Sequence, residues 1–192
     1  TTLTFKPKNV TKKLLAALPE RARIVITKRY GLDKDGERMT LEAIGEQYSI
    51  TRERVRQIEH VALQNIRKSA PFKQEKPVFT ELHGAVSDLG GMLAEDDLLA
   101  HFAKDALTRN HIHFLLTLGD EFKREKEDPE FKHRWHIDAN LAKKIHDALR
   151  KLYKSIDDHE LIPESEMIDS FLEHLKDVND KFGEFSVTGG GE

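Results

Sequence analysis

The chain of 192 residues has room for one or two domains, and its 38% hydrophobic and 34% charged residues describe a globular chain rather than a disordered one. It holds no apolar run near the ~20 residues of a membrane span and opens on no signal-peptide pattern. Zero cysteines exclude disulfides, thiolate zinc sites and cysteine nucleophiles, and suit a reducing cytoplasm. The net charge of −3 hides a division, with 15 Lys+Arg against 8 Asp+Glu in residues 1–70 and 16 against 26 in the remainder.

In the basic part, Thr40 is the expected N-cap of a helix over residues 41–48, and Ser49 and Ile50 make a turn. Thr51 then caps a second helix. Apolar residues fall at Ile44, Tyr48, Ile50, Val55 and Ile58, with small Gly45 where two crossing helices must come close. These are the inward positions of a helix-turn-helix, whose second helix enters the DNA major groove. Outward from it point Thr51, Arg52, Glu53, Arg56 and Gln57. Arg offers a donor fork for guanine, Glu accepts from cytosine N4, and Gln pairs with adenine. Arg52 and Arg56 repel mildly at i,i+4, a cost that a polyanion turns into a gain. The plainer alternative is a helical hairpin with a solvated charged face.

Leu18-Pro19-Glu20-Arg21, Tyr30-Gly31-Leu32-Asp33, Thr40-Leu41-Glu42-Ala43-Ile44-Gly45, the stretch from Thr51 to Glu59, Ala62-Leu63 and Ile66-Arg67-Lys68 run in order without a gap. This series resembles the fourth conserved region of primary-type bacterial sigma factors, the domain that reads the promoter −35 element, over about residues 10–69. The resemblance implies that Arg52, Glu53 and Gln57 read bases while Arg54 and Arg56 lie against or near the phosphate backbone. It also implies that the domain rests on the flap of the RNA polymerase β subunit through an apolar patch. The regions with which a primary sigma factor melts the −10 element and grips the polymerase clamp are not visible here, so promoter melting is not assigned to this chain.

Residues 71–78, polar and proline-marked, are expected to link residues 1–70 to a second module over 79–137. There Thr80 is the expected cap of a helix ending at Gly90-Gly91. A short extended piece and a helix follow around Met92, Leu98, Leu99 and Phe102, then a helix capped by Thr108 and closing at Gly119. Phe131, His133, Trp135 and Ile137 alternate as on a strand, and Asp128-Pro129 is turn chemistry. Three helices and a β-hairpin describe a winged helix, similar to the HARE-type modules found with RNA polymerase accessory subunits. Its candidate wing contacts to DNA are Arg124, Lys126, Lys132 and Arg134. The alternative is a solvated hairpin whose charges keep an edge strand unpaired, with Trp135 in the core.

Leu82-His83-Gly84-Ala85-Val86 is echoed by Ile145-His146-Asp147-Ala148-Leu149, and the stretch from Asp96 to Phe102 faintly by that from Glu166 to Phe171. Residues 138–180 therefore read as C-terminal helices, about 139–157 and 164–178, or as the start of a second winged helix. Residues 181–192 read as a disordered tail. The fold class expected is mainly α: a helix-turn-helix domain, a winged-helix-like domain with a small β-hairpin, and further C-terminal helices.

No P-loop, dinucleotide glycine pattern, HExxH or GxSxG appears, so no enzyme activity, cofactor or metal is expected. His111 and His113 diverge by about 200° on a helix and cannot readily share a metal. The function expected is a sigma-related DNA-binding transcription protein that recognises a −35-like duplex with RNA polymerase, in the cytoplasm at the nucleoid. The acidic part suits a protein partner or ordinary solubility. The alternatives are a protein-interaction module with little DNA affinity of its own and a free-standing dimeric repressor.

Overall fold

The computed structural model describes residues 2–156 and 163–174. They divide into two compact units, Thr1–Ile137 and Asp138–Glu192. The first unit opens with α1 (Pro7–Leu15), α2 (Glu20–Tyr30), α3 (Leu41–Tyr48) and α4 (Arg52–Lys68). The threonines expected as caps do cap. Thr40 Oγ1 accepts from Ala43 N and Thr51 Oγ1 from Arg54 N, both at 3.1 Å. Between them Ser49 takes a left-handed conformation with φ 54°.

Residues 71–78 are not a linker. Ser69 caps α5 (Ala70–Gln74) by accepting from Phe72 N at 3.3 Å, and α6 (Lys76–Asp88) follows at once. Pro71 and Pro77 stand in the first turns of these helices, where the missing N–H would have had no partner. Thr80 lies inside α6, its hydroxyl donating to Lys76 O. β1 (Met92–Ala94) and α7 (Glu95–Phe102) come next, then α8 (Ala106–Leu118), whose cap is Asp105 rather than Thr108: Asp105 Oδ1 accepts from Thr108 N at 2.8 Å. β2 (Lys123–Glu125) and β3 (Arg134–His136) complete a three-stranded antiparallel sheet of order β1-β3-β2, with Trp135 opposite both Leu93 and Arg124. Helix, strand, two helices and a hairpin make this stretch winged-helix-like.

The two parts share one core rather than standing as separate modules. Leu14, Ile26, Tyr30, Ala62 and Ile66 from α1, α2 and α4 pack in the same cluster as Leu82, Leu98, Ile112, Leu115 and Trp135. α8 makes this unavoidable, because every residue from 110 to 116 is buried. A helix buried on every side must be surrounded.

Polar ties fix the seam. Asn110, buried on α8, donates through Nδ2 to Gly31 O at 3.0 Å and Gly36 O at 2.8 Å, and its Oδ1 accepts from Arg38 Nε at 2.8 Å. The loop that leads into α3 is thereby fastened to α8. Gly31 closes α2 with φ 63°, and a Cβ there would sit 2.7 Å from the Asn110 amide nitrogen. At the other end, Arg67 on α4 donates to Thr117 O at 2.8 Å and Leu118 O at 3.0 Å, satisfying carbonyls that end α8.

Glu95 is the buried ionic centre. Arg124 donates to it at 2.5 and 3.1 Å, Trp135 Nε1 at 2.9 Å, and His113 Nε2 lies 3.6 Å away. Burial opposes ionisation of this carboxyl, but His113 and Arg124 outweigh it and hold it well below the usual carboxylate range. Burial lowers His113 despite Glu95. The His113 ring nitrogens make no hydrogen bond, and Arg124 supplies the close compensating charge to Glu95. Burial also lowers His111, whose ring nitrogens have no hydrogen-bond partner.

In the second unit, Asp138 caps α9 (Ala139–Ser155) by accepting from Leu141 N at 2.8 Å, and α9 packs on α10 (Glu164–His174). The further residues expected in these helices, 157 and 175–178, lie outside the described residues, as does the tail 181–192.

Asn110→Ala removes three hydrogen bonds and leaves two loop carbonyls without their donor. Urea unfolding is expected to register a loss of about 2–3 kcal/mol, and hydrogen exchange in residues 32–39 should accelerate more than at the start of α4. Acid should destabilise the unit in two stages. The folded pKa values of His111 and His113 are below the unfolded value of 6.5, so the unfolded chain binds more protons and stability falls as pH drops below about 6.5. The contribution of Glu95 is present above its unfolded value of 4.5 and lost further down. Urea midpoints measured from pH 8 down to 3 test this, and His113→Gln should flatten part of the upper stage, leaving the share of His111, and weaken the lower one, because His113 helps hold the Glu95 carboxyl down.

Candidate nucleic-acid interface

The first turns of α4 stand clear of the protein. Thr51, Arg52, Glu53, Arg54, Arg56 and Gln57 are all exposed, while Val55 between them is fully buried. The divide follows from a second, small core in which Val25, Ile44 and Val55 meet, flanked by Met39, Leu41, Ile50 and Ile58. Gly45 lets α3 come close to the turn. A Cβ on it would lie 2.7 Å from Ile50 O, and Gly45 O itself accepts from Ile50 N at 2.9 Å. Tyr48 was expected inward with Ile44, but it is 38% exposed. Val25 and Val55 already close the small core, and Tyr48 instead lines a shallow recess with Arg21, Ile24, Val25 and Ile50.

The outward side chains are partnered with one another. Arg56 holds Glu53 bidentately at 2.7 and 2.9 Å, with both side chains 59% exposed. Arg54 donates to Gln57 Oε1 at 3.2 Å. The hydrogen bond from Arg56 lowers the Glu53 carboxyl below its ordinary value. Such solvated pairs are weakly held and screened by salt, so they can be exchanged for base edges and phosphates. One turn further on, His60 and Gln64 lie 3.0 Å apart on the exposed side of the helix.

Glu59 ties α4 to α2. It lies 3.5 Å from Arg29 Nε, and burial together with Glu59 pushes the Tyr30 hydroxyl well above its usual range. Sequence reasoning placed Glu59 in a motif without a task. Arg67 likewise stood in a motif without a task, and Asn110 was missed altogether, because the backbone carbonyls that both bind lie far away in sequence.

The wing is less available than its charge suggested. Arg134 is only 7% exposed and binds Glu125 at 2.7 Å and Asp128 at 3.1 Å, with its guanidinium over the Phe131 ring. Arg124 is engaged by Glu95. Arg134 is thus committed to two carboxylates, whereas Arg124 keeps surface beside its pairing with Glu95. Lys126 and Lys132 are exposed. Among the described residues no group of three or more His, Asp or Glu could hold a metal ion, and no helix is long and apolar enough to cross a membrane.

Residues 14–68, which span this surface, match the family model of sigma-70, region 4. The RNA polymerase sigma factor SigA of Nostoc sp. is 52% identical over 56 residues, 29% of this chain and 14% of that protein. SigA of Clostridium acetobutylicum is 44% identical over 64 residues, 33% of this chain and 17% of that one. The sigma factor RpoD of Neisseria gonorrhoeae is 45% identical over 58 residues, 30% of this chain and 9% of its own length. The chain thus spans less than a fifth of these relatives. No solved structure matches it. A domain of the sigma-70 region 4 type accordingly occupies residues 14–68.

Proposed function

We propose that this chain is a sigma-factor-related, DNA-binding transcription protein whose α4 enters the major groove of a −35-like element, in concert with RNA polymerase. One observation carries the reading: the first two turns of α4 expose Arg52, Glu53, Arg56 and Gln57 while Val55 and Ile44 are wholly buried. On this reading Arg52 donates to guanine, Glu53 accepts from cytosine and Gln57 pairs with adenine. Arg54 and Arg56 turn to phosphates, and Thr51 holds the end of the helix in place. Arg124, Lys126, Lys132 and Arg134 are the candidate wing contacts, of which Lys126 and Lys132 are the most open. The part of the protein in this reading is binding rather than catalysis, in the cytoplasm at the nucleoid.

RNA polymerase as partner rests on the region 4 match and on relatives that are themselves named RNA polymerase sigma factors. The apolar residues of α1 and α4 are largely committed to the shared core. Ile24, Tyr48 and Ile50 keep surface, and they are the apolar candidates for contact with the polymerase flap. The stretch from α6 to β3 is a HARE-type winged helix in this reading, supported by its order of elements.

A second reading, a protein-interaction module with little DNA affinity, draws on the mutual pairing of Glu53 with Arg56 and of Arg54 with Gln57. Fluorescence anisotropy of the full chain on a −35-like duplex separates the two. DNA reading predicts that Arg52→Ala weakens binding by about 1–3 kcal/mol and relaxes base preference. It also predicts that log affinity falls against log salt with a slope of about −0.9 per phosphate contacted. Equal binding by parent and variant, or a flat salt response, would leave the interaction module, and a polymerase pull-down with and without DNA would then be the deciding measurement.

A further inference from the structure

The outward face of α4 continues past the residues that meet base edges. Counted from Gln57, His60, Gln64 and Lys68 follow at i+3, i+7 and i+11, which keeps them within about 60° of Gln57 around the helix. All four are exposed, whereas Ala62 and Ile66 on the other side are buried in the large core.

Length carries this face out of the groove. α4 has 17 residues and is therefore about 26 Å long, while the major groove is about 12 Å wide. A straight helix whose first turns touch base edges brings its later turns up against the phosphates of a groove wall. What those turns present suits phosphates. Gln64 Nε2 lies 3.0 Å from His60 Nε2. An amide nitrogen only donates, so the imidazole accepts there and holds its proton on Nδ1. The second amide hydrogen and the Nδ1–H are left as two neutral donors side by side, and Lys68 adds a charged donor one turn on. Acidic groups nearby are turned elsewhere. From His60 to Lys73 the chain has no Asp or Glu, Glu59 faces Arg29, and Asp120 lies against Arg67.

We propose that His60, Gln64 and Lys68 form a sequence-independent contact to the sugar–phosphate backbone of DNA, beside the element that α4 reads. The contact rests on α4 entering the groove, and it fixes the helix there without itself specifying bases. Val61, 51% exposed at the edge of this face, is a lone apolar side chain and too little surface to anchor a protein partner.

Fluorescence anisotropy of the full chain at pH 8, on the −35-like duplex and on a scrambled duplex of the same length, tests this. His60→Ala, Gln64→Ala and Lys68→Ala combined should weaken binding to both duplexes by the same factor, about three- to tenfold, and leave base preference intact. The slope of log affinity against log salt should become shallower by about 0.9, because Lys68 accounts for one phosphate. His60→Ala with Gln64→Ala should weaken binding and leave the slope unchanged. Circular dichroism and the urea midpoint should match the parent for both variants. Arg52→Ala separates this contact from the reading it rests on, since that variant alone should relax base preference. Parent-like binding by the triple variant, beside an effect of Arg52→Ala, overturns the contact and leaves the reading standing. A triple variant that loses base preference also overturns it, by making these residues base readers. So does one that binds both duplexes like the parent and no longer captures RNA polymerase, which would give the face to a protein.

Discussion

Everything in the first unit depends on the burial of α8. Ile112, Phe114, Leu115, Leu116 and Leu118 are all without exposure, and no single neighbour could cover them. α1 and α2 pack on this helix, as does α7. Side chains of α4, α6 and β3 complete the cluster. Removing either set would leave a wide apolar surface in water at a cost of about 25 cal/mol for each Å². The helix-turn-helix and the winged-helix-like part therefore fold as one body, although their charges have opposite sign.

That arrangement gives α4 two different ends. Its C-terminal half is anchored through Ala62 and Ile66 in the large core and through Arg67 on the last carbonyls of α8. Its N-terminal half rests on only three fully buried side chains, Val25, Ile44 and Val55. Alone, so thin a core would hold α3 loosely, since local stability follows buried apolar contact. The Asn110 clamp offsets this, because it fixes the loop from Gly31 to Arg38 that delivers the chain to Thr40. The winged-helix-like part thus contributes to the reading surface by positioning it, whatever else it binds.

How much of this was legible in the sequence depended on whether the signal was local. The helix-turn-helix could be read because caps, apolar spacing and a small residue at the crossing all lie within twenty residues and agree. The β-hairpin could be read from the alternation around Trp135. The supposed linker could not, since Pro71 and Pro77 signal a helix start as readily as a break, and only Ser69 as cap decides between them. Charge misled for a related reason. Arg124 and Arg134 look like a basic wing until Glu95, Glu125 and Asp128 are found on them. A strand pair brings residues about ten apart into contact and a fold brings residues thirty apart, and sequence spacing reports neither.

The reading face itself is best understood as a set of contacts held in waiting. Four of its polar side chains are already hydrogen-bonded, but only to each other and in full solvent. An exposed pair of this kind restricts rotamers without storing much energy, so its loss on binding is a small penalty and its geometry a small head start. Buried pairs behave differently, because breaking one strands a charge. In the pair of Glu95 with Arg124 the buried Glu95 would be stranded, although Arg124 itself keeps surface, whereas Glu53 and Arg56 are both open to solvent. The same chemical pair therefore fastens the fold in one place and stays exchangeable in the other, and burial of the carboxylate makes the difference.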